Sequence, residues 1–560
     1  MSEDRLPILI VGAGPTGLTL ALELARAGIR FRIIDKAPQR PDVESRAIVL
    51  HQRSLEVFAR NGVVESFLQE GNPLTATNLY SSGKKILKVN MAGGNYRPYP
   101  YSLILEQGKS ERILIARLTE LGIEIERPVS LETITTHEDH VYVTMLHEDG
   151  RLEEASFDYL VGCDGAHSVV RHALDIGFIG SAIEGKVLTG DVMIEFPSPS
   201  PWANHEVHTL LRPGHMGFLL RLKDGYWRFA VGANHHNHLS AENVSLDDIR
   251  EEFSTFPEFK GVMHDCRWKS LYKISTRIAA SMKSGLVFLA GDAVHIHSPE
   301  GGHGMNAGIQ DAVNLAWKLT SVIKGGTHHD LLESYQAERL PIIRDIIKGT
   351  ERSQKVITLV HPRSVATRDI LLPILGSLGP FQKWLHRIRT ATSHNYRHSK
   401  IILESVSVTK RLSSMLHLLF RGSGRTHPHS GDWAPEASDL IHPDGSKTSL
   451  HALLQNDLRC LVLMTPGGSQ RENDLQKLTA LRDQLLRDYP TLLDPKLISL
   501  FPARESLHDS KGEFHKIYGA SGESIFLIRP DGFLGYIGKP ICISDLETYL
   551  TDRLLARRLN

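Results

Sequence analysis

The sequence predicts an α/β fold in which a nucleotide-binding domain carries an inserted antiparallel sheet and is followed by a smaller α/β domain. Three observations support this prediction. A strand, a glycine-rich turn, a helix and a strand succeed one another near the N-terminus. Alternating residues with turn signals extend from Val187 to about Ala280, and strand and helix patterns return beyond Leu458. The 560 residues exceed what one hydrophobic core usually serves, so two or three domains are expected.

The first elements form a βαβ unit. Residues 8–11 are typical of a buried strand, residues 16–27 of a helix that ends at Gly28, and residues 29–34 of the next strand. Such a unit has a right-handed crossover and belongs to a parallel sheet, so the N-terminal domain is predicted to be of the Rossmann type.

The middle of the chain is predicted to be antiparallel sheet and then helix. Residues 217–222 and 226–231 flank the turn Lys223-Asp224-Gly225, which indicates a hairpin. The apolar residues 216–220 suit a wall that binds a ring, and they suit a core strand equally well. Helical periodicity extends from Asn306 to about Leu419 and is interrupted at Pro341, Pro362 and Pro373.

The C-terminal part follows a linker-like segment, residues 421–435, which is rich in Gly, Ser, His and Pro. Beyond it we predict a strand at 458–464, a helix at 475–488, a strand at 524–528 and a last helix from Ser544. The predicted domains are residues 1–180 with 281–400, residues 181–280, and residues 430–560.

Composition excludes several classes of protein. Lys and Arg number 64, as do Asp and Glu, and no long run carries one sign, which argues against nucleic-acid and membrane-surface partners. The cysteines are widely spaced and form no CxxC pair, so we expect no disulfide framework, no zinc site and a reducing cytoplasm. The first apolar run is too short for a signal peptide, and no stretch reaches the ~20 apolar residues of a membrane-spanning helix.

Histidine is abundant, but its clusters lack the spacing of metal ligands. No metal site is therefore predicted at these clusters: His235, His236 and His238; His328 and His329; His427 and His429.

The first chemical motif is Gly12-Ala13-Gly14-Pro15-Thr16-Gly17, which lies between a strand and a helix as a dinucleotide fingerprint requires. The first glycine permits the tight turn, the second lets a pyrophosphate approach the backbone, and the third lets the helix lie close to the strand. Asp35 closes the next strand, where a carboxylate accepts hydrogen bonds from a ribose and repels a 2′-phosphate. This favours FAD or NAD over NADP at this site.

The second motif favours FAD over NAD. Residues 285–291 are typical of a buried strand that ends at Gly291-Asp292, and Gly301, Gly302 and Gly304 lead into a helix that starts near Asn306. Asp292 suits a hydrogen bond to a ribityl hydroxyl, which NAD lacks. The helix N-terminus supplies partial positive charge that stabilises an anionic reduced flavin.

The chain resembles the group A flavoprotein monooxygenases, the family of para-hydroxybenzoate hydroxylase, phenol hydroxylase and the polyketide hydroxylases. Residues 161–168 with Arg171 are similar to the family's DG motif, and Gly291-Asp292 to its GD motif, over roughly residues 5–400. The predicted cofactor-binding residues are therefore Gly12, Gly14, Pro15, Thr16, Gly17, Asp35, Lys36, Arg46, Gln107, Asp164, Gly291, Asp292, Pro299, Gly301, Gly302, Gly304, Met305 and Asn306.

The C-terminal part resembles the thioredoxin-like domain of the phenol-hydroxylase branch, through Arg529-Pro530-Asp531-Gly532. Thr465-Pro466-Gly467-Gly468 follows its first strand where thioredoxin chemistry needs CxxC, so we expect a packing or dimer-forming role instead of redox exchange. Two residues depart from the family pattern: Asp35 replaces a commoner glutamate, and Val294 stands where alanine is usual.

The resemblance implies that NADPH or NADH reduces FAD and that dioxygen then forms a C4a-hydroperoxyflavin, which hydroxylates a phenolic or polyketide-like ring. It also implies a possible homodimer. Alternatives are a flavin oxygenase that inserts oxygen into a ketone or an alkene, an oxygen-independent FAD reductase, and a non-catalytic FAD-bound scaffold. The sequence names no catalytic base: His215, Tyr226, Tyr272 and Arg221 lie in the expected substrate sheet, and structural roles are favoured for each.

Overall fold

The structure is a computed structural model that describes residues 5–39, 47–93, 97–197, 202, 205–232, 244–256, 258–298, 300–390, 392–406, 427–455, 458–469 and 472–558. Its strands are β1 (Leu6–Val11), β2 (Phe31–Ile34), β3 (Val49–Leu50), β4 (Asn72–Leu74), β5 (Ala76–Ser81), β6 (Lys84–Asn90), β7 (Ser102–Ile104), β8 (Val129–Thr136), β9 (Val141–His147), β10 (Leu152–Gly162), β11 (Phe178–Glu195), β12 (Glu206–Arg212), β13 (His215–Arg221), β14 (Trp227–Gly232), β15 (Val262–Ala279), β16 (Lys283–Ser284), β17 (Val287–Leu289), β18 (His295–Ile296), β19 (Leu403–Val406), β20 (Leu440–Ile441), β21 (Lys447–Thr448), β22 (Cys460–Thr465), β23 (Leu493–Ser499), β24 (Ser506–Asp509), β25 (Ser524–Ile528) and β26 (Leu534–Lys539).

Its α-helices are α1 (Pro15–Arg26), α2 (Gln52–Arg60), α3 (Val64–Glu70), α4 (Gln107–Glu120), α5 (Val169–Ala173), α6 (Leu246–Ser254), α7 (His303–Ile323), α8 (Glu333–Ile357), α9 (Pro362–Gly376), α10 (Gly379–Arg389), α11 (Leu450–Leu453), α12 (Glu472–Asp488), α13 (Glu513–Tyr518) and α14 (Ile543–Thr548). Among the described residues, no helix is both long enough and apolar enough to cross a membrane.

The first sheet contains the predicted βαβ unit, which is confirmed. Its strands follow the order β16-β17-β10-β1-β2, and β9 and β8 extend it from β10. β1 is parallel to both β10 and β2, and β10 is parallel to β17. Ile8, Leu9 and Ile10 of β1 are fully buried, as expected for a central strand covered on both faces.

The second sheet follows the order β18-β15-β11-β14-β13-β12-β5-β6. The predicted hairpin is its β13–β14 pair, in which the amide of Leu222 donates to the carbonyl of Tyr226 at 2.8 Å. Gly225 has φ of 96°, which favours glycine at this turn. The sheet is larger than the predicted residues 181–280, because β12 pairs in parallel with β5, which brings in residues 76–90.

The helical region differs from the prediction in two respects. Pro341 and Pro373 lie inside α8 and α9 and do not interrupt them, while Pro362 is the first residue of α9. Around Pro341, Leu340, Ile342 and Ile343 are buried, and this packing outweighs the helix hydrogen bond that proline removes. Residues 403–406 form strand β19 instead of helix, because β19 pairs in parallel with β26 from the far end of the chain.

The C-terminal strands form a third, mixed sheet in the order β19-β26-β25-β22-β23-β24-β20-β21. The described part of the predicted linker, residues 427–435, is packed against this region: Trp433 is buried, and the amides of Gly431 and Ala434 donate to the carbonyls of Leu534 and Gly532. One hydrophobic core includes side chains of both the first sheet and the third sheet, so the two regions share an interior.

Candidate active site

Four parallel strands of the first sheet end at one edge. In register, Val11 of β1 lies between Ile34 of β2 and Gly162 of β10, and Gly162 pairs with Leu289 of β17. The segments that follow these strands contain the first glycine motif, Asp35, Asp164 and the Gly291 turn. Ligands of open α/β sheets bind in the crevice outside the carboxyl ends of the strands. The edge is therefore the candidate active site.

The three glycines of the first motif differ in their surroundings. Gly12 has φ of 102°, and a side chain there would collide with the carbonyl group of Cys163. A side chain at Gly17 would collide with the carbonyl oxygen of Gly12. At Gly14, by contrast, an added Cβ atom would meet nothing within 4 Å. Gly14 thus borders open space at the start of α1, where Pro15 is the first residue and no side chain caps the amides.

Asp35 holds the glycine loop in place. Its carboxylate accepts hydrogen bonds from the amides of Ala13 at 2.7 Å and Ala37 at 2.9 Å. Arg127 donates to the carbonyl of Ala13 at 2.9 Å, and its guanidinium lies 3.7 Å from the Asp35 carboxylate. Each carboxylate oxygen has a second lone pair, so these contacts leave Asp35 able to accept a ribose hydroxyl. The neighbouring Lys36 is exposed.

Asp164 follows β10 and carries a buried oxygen atom without a hydrogen-bond partner. Its carboxylate accepts from the side chain of Ser168, and its Oδ2 accepts from the amide of Val170 at 3.1 Å, whereas Oδ1 has no partner among the residues that the structure describes. Burial raises the pKa of Asp164 above its ordinary value. An unpaired buried acceptor is costly, and a hydroxyl group of a bound ligand would satisfy it.

The Gly291 turn lies against both glycine-rich helices. Gly291 has φ of 63°, and side chains added at Gly291 or Gly308 would collide with Thr16. The amide of Gly291 donates to Asp311 Oδ2 at 3.1 Å, and His295 Nε2 lies 3.0 Å from the same oxygen. Asp292 is exposed at this turn, on the same edge as the first motif.

Helix α7 starts with an uncapped N-terminus. Gly301 and Gly302 both adopt left-handed conformations, with φ of 80° and 66°, and no side chain caps the first turn. Gly304 and Met305, in this turn, are half-buried. The free amides and the helix dipole supply partial positive charge.

Asn306 has a structural role that the sequence did not reveal. Its side-chain amide donates to the carbonyls of Val49 at 2.8 Å and Gly302 at 2.7 Å, and its Oδ1 accepts from the amide of His51 and the hydroxyl of Ser54, both at 2.7 Å. Asn306 thus ties the start of α7 to the start of α2.

His51 and His303 are the residues at this site that sequence reasoning missed. His51 donates through Nε2 to the carbonyl of Gly301 at 3.0 Å and accepts through Nδ1 from the hydroxyl of Ser102 at 3.1 Å. The two imidazole centroids are 5.2 Å apart. Burial lowers the pKa of His51 to about 4 and that of His303 well below its ordinary value, so both rings are neutral at pH 7. His303 lies within the predicted glycine-rich segment, and this position was the only sequence feature that could have marked it as a site residue.

Gln107, Arg46 and Pro299 are the remaining predicted site residues. Gln107 is the first residue of α4; its amide donates to the carbonyl of Ala47 at 3.0 Å and its side chain to Glu111 at 2.8 Å. It therefore adjoins the segment that follows Arg46. Arg46 and Pro299 lie outside the described residues.

The candidate residues of the second sheet make structural contacts. His215 Nε2 lies 3.1 Å from Glu252, and the hydroxyl of Tyr226 donates to Asp265 at 2.5 Å. Arg221 and Tyr272 are half-buried. None of these four residues is identified as a catalytic base by its contacts or burial.

One group of possible metal ligands occurs among the described residues. The ligand atoms of His328, His329 and Asp330 lie within 4.8 Å of one another at a largely exposed turn before α8. This turn is remote in sequence from every motif above.

The open edge fits FAD. The space beside Gly14 and the uncapped amides of α1 suit a pyrophosphate, Asp35 and the unpaired oxygen of Asp164 suit hydroxyl groups, and the uncapped start of α7 suits the electron-accepting end of an isoalloxazine.

Comparison with known proteins agrees with this assignment. Residues 5–350 match a family model described as an FAD binding domain. The chain is 30% identical to 6-methylpretetramide 4-monooxygenase of Streptomyces rimosus, over 99% of this chain and 94% of that protein. It is 28% identical to pentachlorophenol 4-monooxygenase of Sphingobium chlorophenolicum, over 98% of this chain and 97% of that protein.

Solved structures share the whole architecture. The anhydrotetracycline hydroxylase OxyS from Streptomyces rimosus superimposes with a TM-score of 0.73 and 27% identity, over 98% of both chains. Aklavinone-11 hydroxylase, solved with FAD and aklavinone, superimposes with a TM-score of 0.76 and 22% identity, over 99% of this chain and 100% of that chain. The similarity of fold therefore covers the C-terminal region as well as the nucleotide-binding region.

Proposed function

This chain belongs to the FAD-binding family of flavoprotein aromatic monooxygenases, and on that premise we propose that it hydroxylates a fused-ring phenolic, polyketide-like substrate. In this proposal dioxygen is the source of the oxygen atom and NADPH is the reductant. We further propose that the protein is cytoplasmic and can form homodimers. The two relatives named above support the reaction class, since each matches nearly the whole chain and is a monooxygenase named for an aromatic substrate.

One observation carries the proposal. The open space at Gly14, the unpaired oxygen of Asp164 and the uncapped start of α7 all follow strands of one sheet edge. We propose that the predicted site residues hold the cofactor there, with the pyrophosphate at α1 and the flavin ring at α7. FAD, when bound, supplies the activation of dioxygen and the transfer of one oxygen atom.

The chain's own residues bind, orient and tune charge. The amides of α1 hold phosphate, and the amides of Gly302 and α7 stabilise negative charge on the ring system beside them. His51 and His303 stay neutral at pH 7 and so add no full positive charge to this place. Leu211 and Leu220 of the second sheet are buried in one apolar cluster with Leu222, which follows β13, and we propose that this sheet forms the wall on the substrate side.

An oxygen-independent FAD reductase, which the sequence left open, is not favoured, because the relatives that span this chain are monooxygenases. Insertion of oxygen into a ketone is distinguished from ring hydroxylation by its product, a lactone or ester in place of a phenol.

The test measures oxygen uptake and NADPH oxidation by the purified FAD-bound protein. The panel contains tetracyclic and anthraquinone phenols, single-ring phenols such as pentachlorophenol, and anthracene as an apolar ring without a hydroxyl group. We expect the multi-ring phenols to stimulate both rates and to yield products one oxygen atom heavier. Stimulation by single-ring phenols alone would contradict the substrate class, and bound FAD without oxygen uptake would contradict the reaction.

A further inference from the structure

A buried ionic network joins the C-terminal turn at residues 529–532 to helices α7 and α8. Arg529 donates to both oxygens of Glu338, at 2.6 and 2.9 Å, and to Asp531. Neither Arg529 nor the Glu338 side chain has any exposure to solvent. The guanidinium also lies over the rings of Trp317 and Tyr396, at 5.1 and 5.0 Å. This turn is thus bound to the first domain by charge and not by apolar contact alone.

The partners of Arg529 are themselves fully engaged by α7. Glu338 also accepts from Lys318 and from Asn314, each at 2.9 Å. Asp531 accepts from Asn314 at 3.1 Å and from the indole of Trp317 at 3.2 Å. Two cations and two carboxylates therefore balance inside the protein, with amide and indole donors that fill the remaining lone pairs.

The network continues to the Gly291 turn. Tyr396 accepts hydrogen bonds from Asn314 at 3.4 Å and from Arg339 at 3.1 Å. Arg339, which follows Glu338 on α8, donates to Asp311 Oδ1 at 2.7 Å. The other oxygen of Asp311 accepts a hydrogen bond from the amide of Gly291 at 3.1 Å. A continuous chain of contacts thus connects Arg529 with the turn that carries Asp292.

The electrostatics make each part of this chain dependent on the others. Burial opposes ionisation of Glu338, and the charges of Arg529 and Lys318 outweigh it, so that the pKa of Glu338 is lowered. Burial lowers the pKa of Lys318 to about 8. Loss of Arg529 would leave two buried carboxylates, Glu338 and Asp531, with one cation, Lys318. An uncompensated buried charge costs more than the lost contact contributes and forces neighbouring groups to rearrange.

We propose that Arg529 and Asp531 are positioning residues for the cofactor, so that the C-terminal domain sets the place of the Gly291 turn through Glu338, Arg339 and Asp311. This inference rests on the proposed function, since it takes the Gly291 turn to be part of the FAD site. It assigns the C-terminal domain a role in cofactor binding that needs no thiol chemistry.

The experiment compares FAD dissociation constants of the full chain and its variants, at a temperature at which circular dichroism shows each apoprotein to be folded. Arg529→Met removes the charge and retains much of the side-chain volume. Tyr396→Phe removes only the hydroxyl between Asn314 and Arg339, and it keeps the test available if Arg529→Met does not fold. Arg482→Met is the matched control, because Arg482 pairs with Glu505 at the surface of the same C-terminal region.

We expect Arg529→Met to weaken FAD binding by about tenfold and Tyr396→Phe by about threefold, with Arg482→Met unchanged. Arg529→Lys, which keeps the charge, is expected to recover most of the affinity. A double variant with Asp311→Asn is expected to bind FAD no more weakly than the worse single variant, because the two residues act on one turn. The visible circular dichroism of saturated flavin should change in Arg529→Met, a signal that altered stability alone would not move.

Parental affinity and parental flavin dichroism in both Arg529→Met and Tyr396→Phe would overturn the inference. Additive losses in the double variant would overturn it too. If the unaltered protein itself bound no FAD, the proposed function would fail, which is a distinct result.

Discussion

Gly14 and Gly17 differ in what a methyl group would meet, and this difference separates cofactor binding from folding. Gly14→Ala places its methyl group in open space, so we expect the apoprotein to retain its thermal midpoint while FAD binding weakens by at least about tenfold. Gly349→Ala, at a helical glycine that also borders open space, is the control and should bind FAD normally. Isothermal titration with FAD measures both variants. Unchanged FAD affinity in Gly14→Ala would show that the pyrophosphate does not bind at this loop.

Gly17→Ala should behave in the opposite way, because its methyl group would enter the carbonyl oxygen of Gly12. We expect a loss of stability of about 1–3 kcal/mol from this collision, seen as a lower thermal midpoint of the apoprotein. A variant with a parental midpoint would show that α1 is not held so close to β1.

His51 makes the stability of the protein depend on pH. Its pKa in the folded state, about 4, is below the ordinary value near 6.5, so the unfolded chain takes up a proton first as pH falls. The stability that the neutral ring contributes is present above about pH 6.5 and is lost toward pH 4, to a total of about 3 kcal/mol.

The thermal midpoint of the parent should therefore fall more steeply between pH 6.5 and 4.5 than that of His51→Gln. His303, whose pKa is also lowered, gives the variant a remaining slope. Identical slopes in parent and variant would mean that the pKa of His51 is the same in the folded and the unfolded protein.

Single residues also show the limit of sequence reasoning. The glycine spacing was enough to predict a tight turn and the helix that follows it. It was not enough to predict that Asp35 holds the amides of Ala13 and Ala37, because those bonds depend on how the loop folds back. That Asn306 contacts cofactor stays a prediction, whereas its role in joining α7 to α2, a contact between segments that are distant in sequence, could not be predicted.

At the level of elements, the crossing of α1 and α7 depends on the absence of a side chain at Gly308. A methyl group there would collide with the hydroxyl of Thr16, so we expect Gly308→Ala to destabilise the protein by about 1–2 kcal/mol although alanine favours helix. Adding Thr16→Ala should recover part of the loss. Gly349→Ala, in α8, should be neutral or stabilising. Thermal melts of the apoproteins measure these differences. If the double variant recovered no stability, the close contact of Gly308 with Thr16 would be contradicted.

Periodicity predicted strands and helices well where burial repeats along the chain, as in β1, α1 and β25. It was wrong where distant pairing decided the outcome. Residues 403–406 continue a helical pattern and yet form β19, because the edge of β26 offers backbone partners. Pro341 lies inside α8 because the buried neighbours of α8 hold the helix together.

For the whole molecule, one core includes Leu20 and Val161 of the N-terminal region together with Val462 and Tyr549 of the C-terminal region. The buried pair of Glu338 with Arg529 crosses the same boundary. We therefore expect a single calorimetric unfolding transition, shifted upward as a unit by FAD. Two resolved transitions, of which only one responds to FAD, would contradict a shared interior.

The thioredoxin-like character of the C-terminal domain stays a prediction. The hydroxyl of Thr465, at the end of β22, lies within hydrogen-bond distance of His515 Nε2, at 2.8 Å, and His515 Nδ1 lies 2.7 Å from Asp509. All three side chains are buried. This chain of hydrogen bonds fixes the position that follows β22, a structural arrangement that the spacing of residues along the sequence did not indicate.

The central claim is that the protein transfers one atom of dioxygen to an aromatic ring. The most direct test supplies heavy-oxygen dioxygen to the FAD-bound protein with NADPH and the most stimulating phenol, and measures the product by mass spectrometry. The account predicts one heavy oxygen atom on a ring carbon of the product. A product that carries oxygen from water, or that gains hydrogen and no oxygen, would contradict it.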